Sequence, residues 1–218
     1  MDGGVMDDKQ RLIEDIVSME WEFFETVNNI GGQASCQRMP DTFGIMRRAW
    51  FSVWPVDALE SYQEDLANAG MEGRNPLAEK YGYMMQSTSP DEYAAIKDQL
   101  PVISFQKAAM VERVLEIEME WAEAMSERYP KFRSHGRPLR SNEDGPGITS
   151  VETYSRGELS TYSERTLSLL LTWFSKALAE GNNLQEKSDL LQVQLQGWKD
   201  LDAVEASSRL LVERGRQA

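Results

Sequence analysis

The chain has 218 residues, 41% of them hydrophobic and 27% charged, the proportions of a globular protein long enough for one large core. A formal net charge of -13 argues against DNA or RNA as a partner, because phosphate binding needs a concentrated basic surface, and it disfavours an anionic membrane. One cysteine leaves no internal disulfide, one histidine excludes His-rich metal sets, and neither a signal-peptide pattern nor about 20 successive apolar residues occurs, so the expected compartment is the cytoplasm.

Residues 1–8 read as a disordered polar terminus. Helical periodicity then runs over 9–29 and stops at Gly31-Gly32, where positive φ is accessible. Pro40 opens a second helix with Asp41 as its expected cap, Asp57 caps a third, and Asn75-Pro76 starts a fourth. Ser89-Pro90-Asp91-Glu92 predicts a short helix to Leu100, and 104–129 predicts a long one ending before Pro130. Residues 131–150, rich in Gly, Pro, Ser and Arg, form the one long irregular segment, a length that in compact domains is usually functional or disordered. Thr149 with Glu152 then predicts one helix to about Glu180, and Asn183 with Glu186 begins the last helical region. No period-two alternation competes, so the expected fold is all-α, a single-domain helical bundle of about six to eight helices over residues 9–218.

Three helices carry a charge inside an apolar stripe. At about 100° per residue Glu20 shares a face with Ile16, Phe23, Phe24 and Val27, and Glu118 one with Val114, Leu115, Trp121 and Met125. Arg47 falls among Phe43, Trp50, Phe51 and Trp54. An unpaired charge on such a face costs several kcal/mol, so each must be paired, hydrogen-bonded, metal-bound or neutralised. A later helix presents Glu152, Ser155, Arg156 and Tyr162 on a face that is apolar further along, and the loop before it contributes Arg133, Arg137 and Arg140.

These residues predict a buried pocket for a small anionic or zwitterionic metabolite, lidded by 133–149. Arg47, Arg137, Arg140, Glu152, Arg156 and Tyr162 would be its ligand-binding residues, joined by Asn29 and Cys36 on either side of the glycine turn. Glu20 and Glu118 are the candidate acid–base groups. No cofactor is expected; Mg or Mn on Glu20, Glu118 and Glu152 is the oxygen-ligand alternative. The competing reading is a non-catalytic interaction protein in which pairs such as Glu20–Arg47 or Glu118–Arg156 fix helix register. Cys36, after a glycine turn and before Arg38, is a weaker nucleophile candidate, since free cysteine is more often simply buried.

WEFFETVNNIGGQASCQ at 21–37, FGIMRR at 43–48, EKYGYMMQST at 79–88, GRPLR at 136–140 and ETYSRGELSTYSERTL at 152–167 resemble a mainly bacterial family known as domain of unknown function 4125. The resemblance spans residues 12–181. It implies no reaction, cofactor or catalytic residue. It is associated with a nucleotidyltransferase-like partner family, which suits the interaction-protein alternative.

Overall fold

The computed structural model describes residues 7–27, 35–134 and 136–207. Where local capping chemistry is strong, helices begin where the side chains dictate. Asp7 accepts from the Lys9 N–H and starts α1 (Asp8–Glu25), within the stretch expected to be disordered. Asn75 caps α4 (Pro76–Thr88), Ser104 caps α6 (Phe105–Arg128) and Asn183 caps α10 (Leu184–Leu195), each accepting a backbone N–H three residues on.

Other boundaries move. Asp41 and Asp57 lie in the first turns of α2 (Pro40–Ser52) and α3 (Val56–Met71) and are not their caps, which are Met39 and Pro55. The short α5 (Pro90–Ile96) ends in a 3-10 turn, Lys97–Gln99, before Pro101. Residues 131–150 are less irregular than expected, containing the end of α7 (Pro130–Arg133) and a 3-10 turn, Ser141–Glu143. The long helix expected from 149 is two helices, α8 (Val151–Leu159) and α9 (Glu164–Ala179), capped by Ser150 and Ser163. Helical residues 201–207 follow α10, so the described residues hold more helices than the six to eight expected.

The fold is all-α and forms a single domain. Amphipathic stripes turn inward to make one main core: Ile13 and Ile16 of α1, Phe51 of α2, Leu59 and Leu66 of α3, Val114 and Trp121 of α6, Leu167, Leu170 and Phe174 of α9. α6 packs on α9 and α8, α1 packs on α2 and α3, and α4 lies against α8. The α4–α8 approach is close because Gly157 has no side chain: a Cβ there would lie 2.7 Å from Met84 Cγ and 2.9 Å from the Lys80 carbonyl oxygen. Gly157→Ala is therefore expected to destabilise the protein by about 1–3 kcal/mol, read from the urea midpoint. An unchanged midpoint would mean that the two helices are not held at this distance. Among the described residues no helix is long and apolar enough to cross a membrane.

Candidate functional site

Helical phase predicts that Glu20 and Arg47 point inward, and they meet. Glu20 is fully buried, and Arg47 Nε and Nη2 donate to its two oxygens at 2.7 and 2.6 Å, while the Tyr62 hydroxyl donates to Oε1 at 2.7 Å. The third arm of Arg47, Nη1, reaches Glu158 Oε1 on α8 at 2.9 Å. Glu158 in turn accepts from Lys80 Nζ of α4 at 2.5 Å and from the Tyr162 hydroxyl at 2.8 Å. Five segments, α1 to α4 and α8 with its following turn, are thus joined by two acids, two bases and two phenols whose formal charges cancel.

The electrostatics follow from that closure. Burial opposes the Arg47 charge, but Glu158 and Glu20 beside it hold its pKa well above the usual guanidinium value. Burial likewise opposes the Lys80 charge, and Glu158 overcomes it, pushing the ammonium up to about 12. Glu158 is held far below the ordinary carboxylate range, because Arg47 and Lys80 outweigh the desolvation that would raise it. Burial and the neighbouring acids push both tyrosines up, so they stay protonated donors. The Arg47 Cζ also sits 4.6 Å from the Phe51 ring centroid, and Lys80 Nζ 3.5 Å from that of Tyr154.

Glu118 approaches this network from α6 but joins no ion pair among the described residues. Desolvation is the main influence on it, a Ser155 hydrogen bond opposes that only in part, and its pKa is pushed up to about 8. It holds its proton at neutral pH.

The remaining expected site residues do not converge with these. Glu152 accepts the Ser141 N–H at 2.9 Å and pairs with Arg156 at 3.0 Å, one turn along its own helix. Arg156 also pairs with Glu112 at 2.7 Å and not with Glu118, correcting the expected register pair. Arg140 is tied to Glu123 on the surface. Arg137 donates to the Thr149 carbonyl at 3.2 Å and lies over the Tyr154 ring at 4.7 Å. Asn29, the Gly31-Gly32 turn and the Cys36 side chain lie outside the described residues. Glu20, Glu118 and Glu152 do not form one cluster, and no group of three or more His, Cys, Asp or Glu among the described residues is placed to hold a metal ion.

The expected lid is pinned. Asp144 accepts from the Ser150 N–H at 2.6 Å and from the hydroxyls of Thr153 and Ser87 at 2.5 Å, and Val151 and Glu152 donate to the carbonyls of Pro138 and Leu139. These bonds fasten the end of the loop to the start of α8 and hold the Asp144 carboxyl below its usual range against the desolvation that would raise it.

A groove of 1510 Å³ does exist, but beside the buried network and not inside it. It runs between α3, α4 and the start of α6. Tyr62 and Tyr162 are its wall residues shared with the network; Arg137 is also on its margin, whereas Glu20, Arg47, Glu118, Glu152 and Arg156 are not. Lys107 and Asp65 line the groove too. The Lys107 ammonium makes no ion pair or hydrogen bond among the described residues, and burial lowers its pKa despite the nearby carboxylates of Asp65 and Glu79.

A family model described as protein of unknown function (DUF4125) matches residues 10–206. The chain belongs to this family. No curated protein and no solved structure matches it. Residues 10–206 include every DUF4125 side chain of the buried network and of the groove described above.

Proposed function

We propose that this DUF4125 protein binds a small anionic or zwitterionic molecule in the groove beside the buried network, and that the network's charged groups support the groove wall without touching the ligand. Tyr62 and Tyr162 link the two, since their hydroxyls are fixed by Glu20 and Glu158 while both residues line the groove. The observation that carries the proposal is Lys107, a partly buried ammonium with no protein partner on a groove wall. Desolvating a cation without pairing it is unfavourable, and an anionic ligand group would relieve that cost. We further propose the cytoplasm as its compartment, the net charge of -13 disfavouring an anionic membrane surface.

A thermal-shift panel of carboxylates and phosphates tests this. A ligand at a hundred times its Kd is expected to add about 2.7 kcal/mol to the wild type, several degrees in Tm, and Lys107→Gln is expected to lose most of that gain. The unliganded Lys107→Gln protein should melt at or above the wild-type temperature, because a strained charge has been removed. Equal ligand shifts in both proteins would reject Lys107 as the anchor.

The interaction-protein reading has one observation of its own. Val102 is 96% and Phe105 92% exposed, next to Leu100 and Pro101 on the groove rim. Large apolar side chains exposed together are typical of contact surfaces. If the ligand reading is right, Phe105→Ser leaves the ligand-induced shift intact. If instead no panel compound stabilises either protein, the interaction reading takes precedence.

A further inference from the structure

We propose that the groove's ligand is a zwitterion, a molecule carrying a primary ammonium and a carboxylate, with Asp65 receiving the ammonium and Lys107 the carboxylate. This rests on the ligand-binding reading above and narrows it.

Asp65 is a carboxylate held from behind. Its Oδ2 accepts the Ser163 N–H at 2.9 Å and the Thr166 hydroxyl at 2.7 Å. The Thr166 oxygen is itself 2.8 Å from Ser61 Oγ and receives the Ser163 hydroxyl at 3.1 Å. Ser61 and Thr166 are both buried, so one oxygen of Asp65 is anchored in the protein interior. The other, Oδ1, has no hydrogen bond among the described residues, although a carboxylate oxygen can accept two. Asp65 thus has free acceptor capacity on a groove wall, fixed in orientation by its occupied half.

Lys107 is the complementary case. Asp65 is the carboxylate that most favours the charge on its ammonium, yet the two do not form an ion pair. A cation without a protein partner and an anion with a free oxygen line the same groove and form no ion pair with each other. A molecule with one group of each sign satisfies both.

The surroundings discriminate against other charge types. Glu79 is already occupied, both oxygens accepting from Arg74, and Glu164 does not line the groove. A dianion placed at Lys107 would still meet the negative field of Asp65, Glu79 and Glu164, all of which act on that lysine. A dication at Asp65 would meet Lys107 and Arg74.

The test is calorimetric titration of the full chain with α-, β- and γ-amino acids, with succinate and inorganic phosphate as amine-free anions and putrescine as a carboxylate-free cation. At least one amino acid is expected to bind wild type ten times or more tightly than each of the three controls. Asp65→Asn, which keeps an acceptor for the Ser163 N–H, is expected to lower amino-acid affinity at least tenfold and to leave succinate affinity unchanged. Should that variant fold poorly, the wild-type comparison of each amino acid with its own amide and with its amine-free acid decides the matter alone, the intact zwitterion being expected to bind tightest. If succinate or phosphate binds wild type as tightly as any amino acid, and Lys107→Gln abolishes it, the zwitterion assignment is overturned while the anion-binding reading stands. If no probe binds, both are overturned.

Discussion

Arg47→Ala is expected to cost about 3–5 kcal/mol of folding stability, a large part of the roughly 5–15 kcal/mol that holds a typical domain together. The substitution removes three hydrogen bonds and leaves Glu20 with only the Tyr62 hydroxyl, in a site closed to water. Glu158 keeps Lys80 and Tyr162, so the damage concentrates on Glu20. Adding Glu20→Gln to Arg47→Ala should restore a substantial fraction by removing the orphaned charge, giving a double-mutant coupling well above the experimental error. Urea unfolding followed by circular dichroism measures both. A single-mutant loss below about 1 kcal/mol would show that water reaches Glu20 and that the network is not closed.

Glu118 should give the chain an unusual pH response. Its carboxyl is raised in the fold from an ordinary 4.5 to about 8, so the native state holds a proton that the unfolded chain releases. The stability it contributes is complete below about pH 4.5 and is lost as the pH climbs through 8. At about 1.4 kcal/mol per pH unit the ceiling is a few kcal/mol, and the solvent contact that Glu118 retains reduces it to roughly 1–3 kcal/mol. Asp189, raised by burial to about 6, slopes the same way at lower pH, so the window from 6 to 8 isolates Glu118. Glu118→Gln should flatten the stability profile there and match or exceed wild type at pH 8. A mutant profile parallel to wild type would assign the slope to other groups.

The parts of the fold that were legible in the sequence are those set by contacts within one turn. Asn75-Pro76, Ser104 and Asn183 cap their helices through bonds to residues three positions on, which any reader of the sequence can draw. The break between α8 and α9 is different. No glycine or proline marks residues 160–163, and Asp65 of α3, almost a hundred positions away, accepts the N–H of Ser163 there. A local pattern cannot report such a partner.

The same division applies to the site. Glu20 and Arg47 were visible because each interrupts an apolar stripe, and Lys80, one turn from both Leu77 and Met84, satisfies that criterion equally well. Glu158, three residues after Ser155 and four before Tyr162, lies on the polar face already noticed on its helix. The signal for both was present, but it became meaningful only with five helices assembled. Asp65, one turn from both Tyr62 and Ala69, also met that criterion, whereas Lys107, one turn after the polar Ser104, had no such signal. Their significance lies in bonds they do not make, and a sequence does not show which side chains remain unsatisfied.

The buried network also bears on how the chain reaches its native state. Apart from the local bond of Tyr162 to Glu158, its links join residues 27, 42, 78 and 111 positions apart and cannot form until large loops have closed. Loop closure is an entropic barrier that early helix formation does not remove, and proteins dominated by distant pairings fold slowly for that reason. A nascent chain that has not yet exposed Glu158 presents Arg47 and Lys80 with one acid between them, an excess of positive charge in what must become dry interior. Commitment to the native core is therefore expected to wait for α8, and a fragment of residues 1–150 is expected to lack a cooperative unfolding transition by circular dichroism.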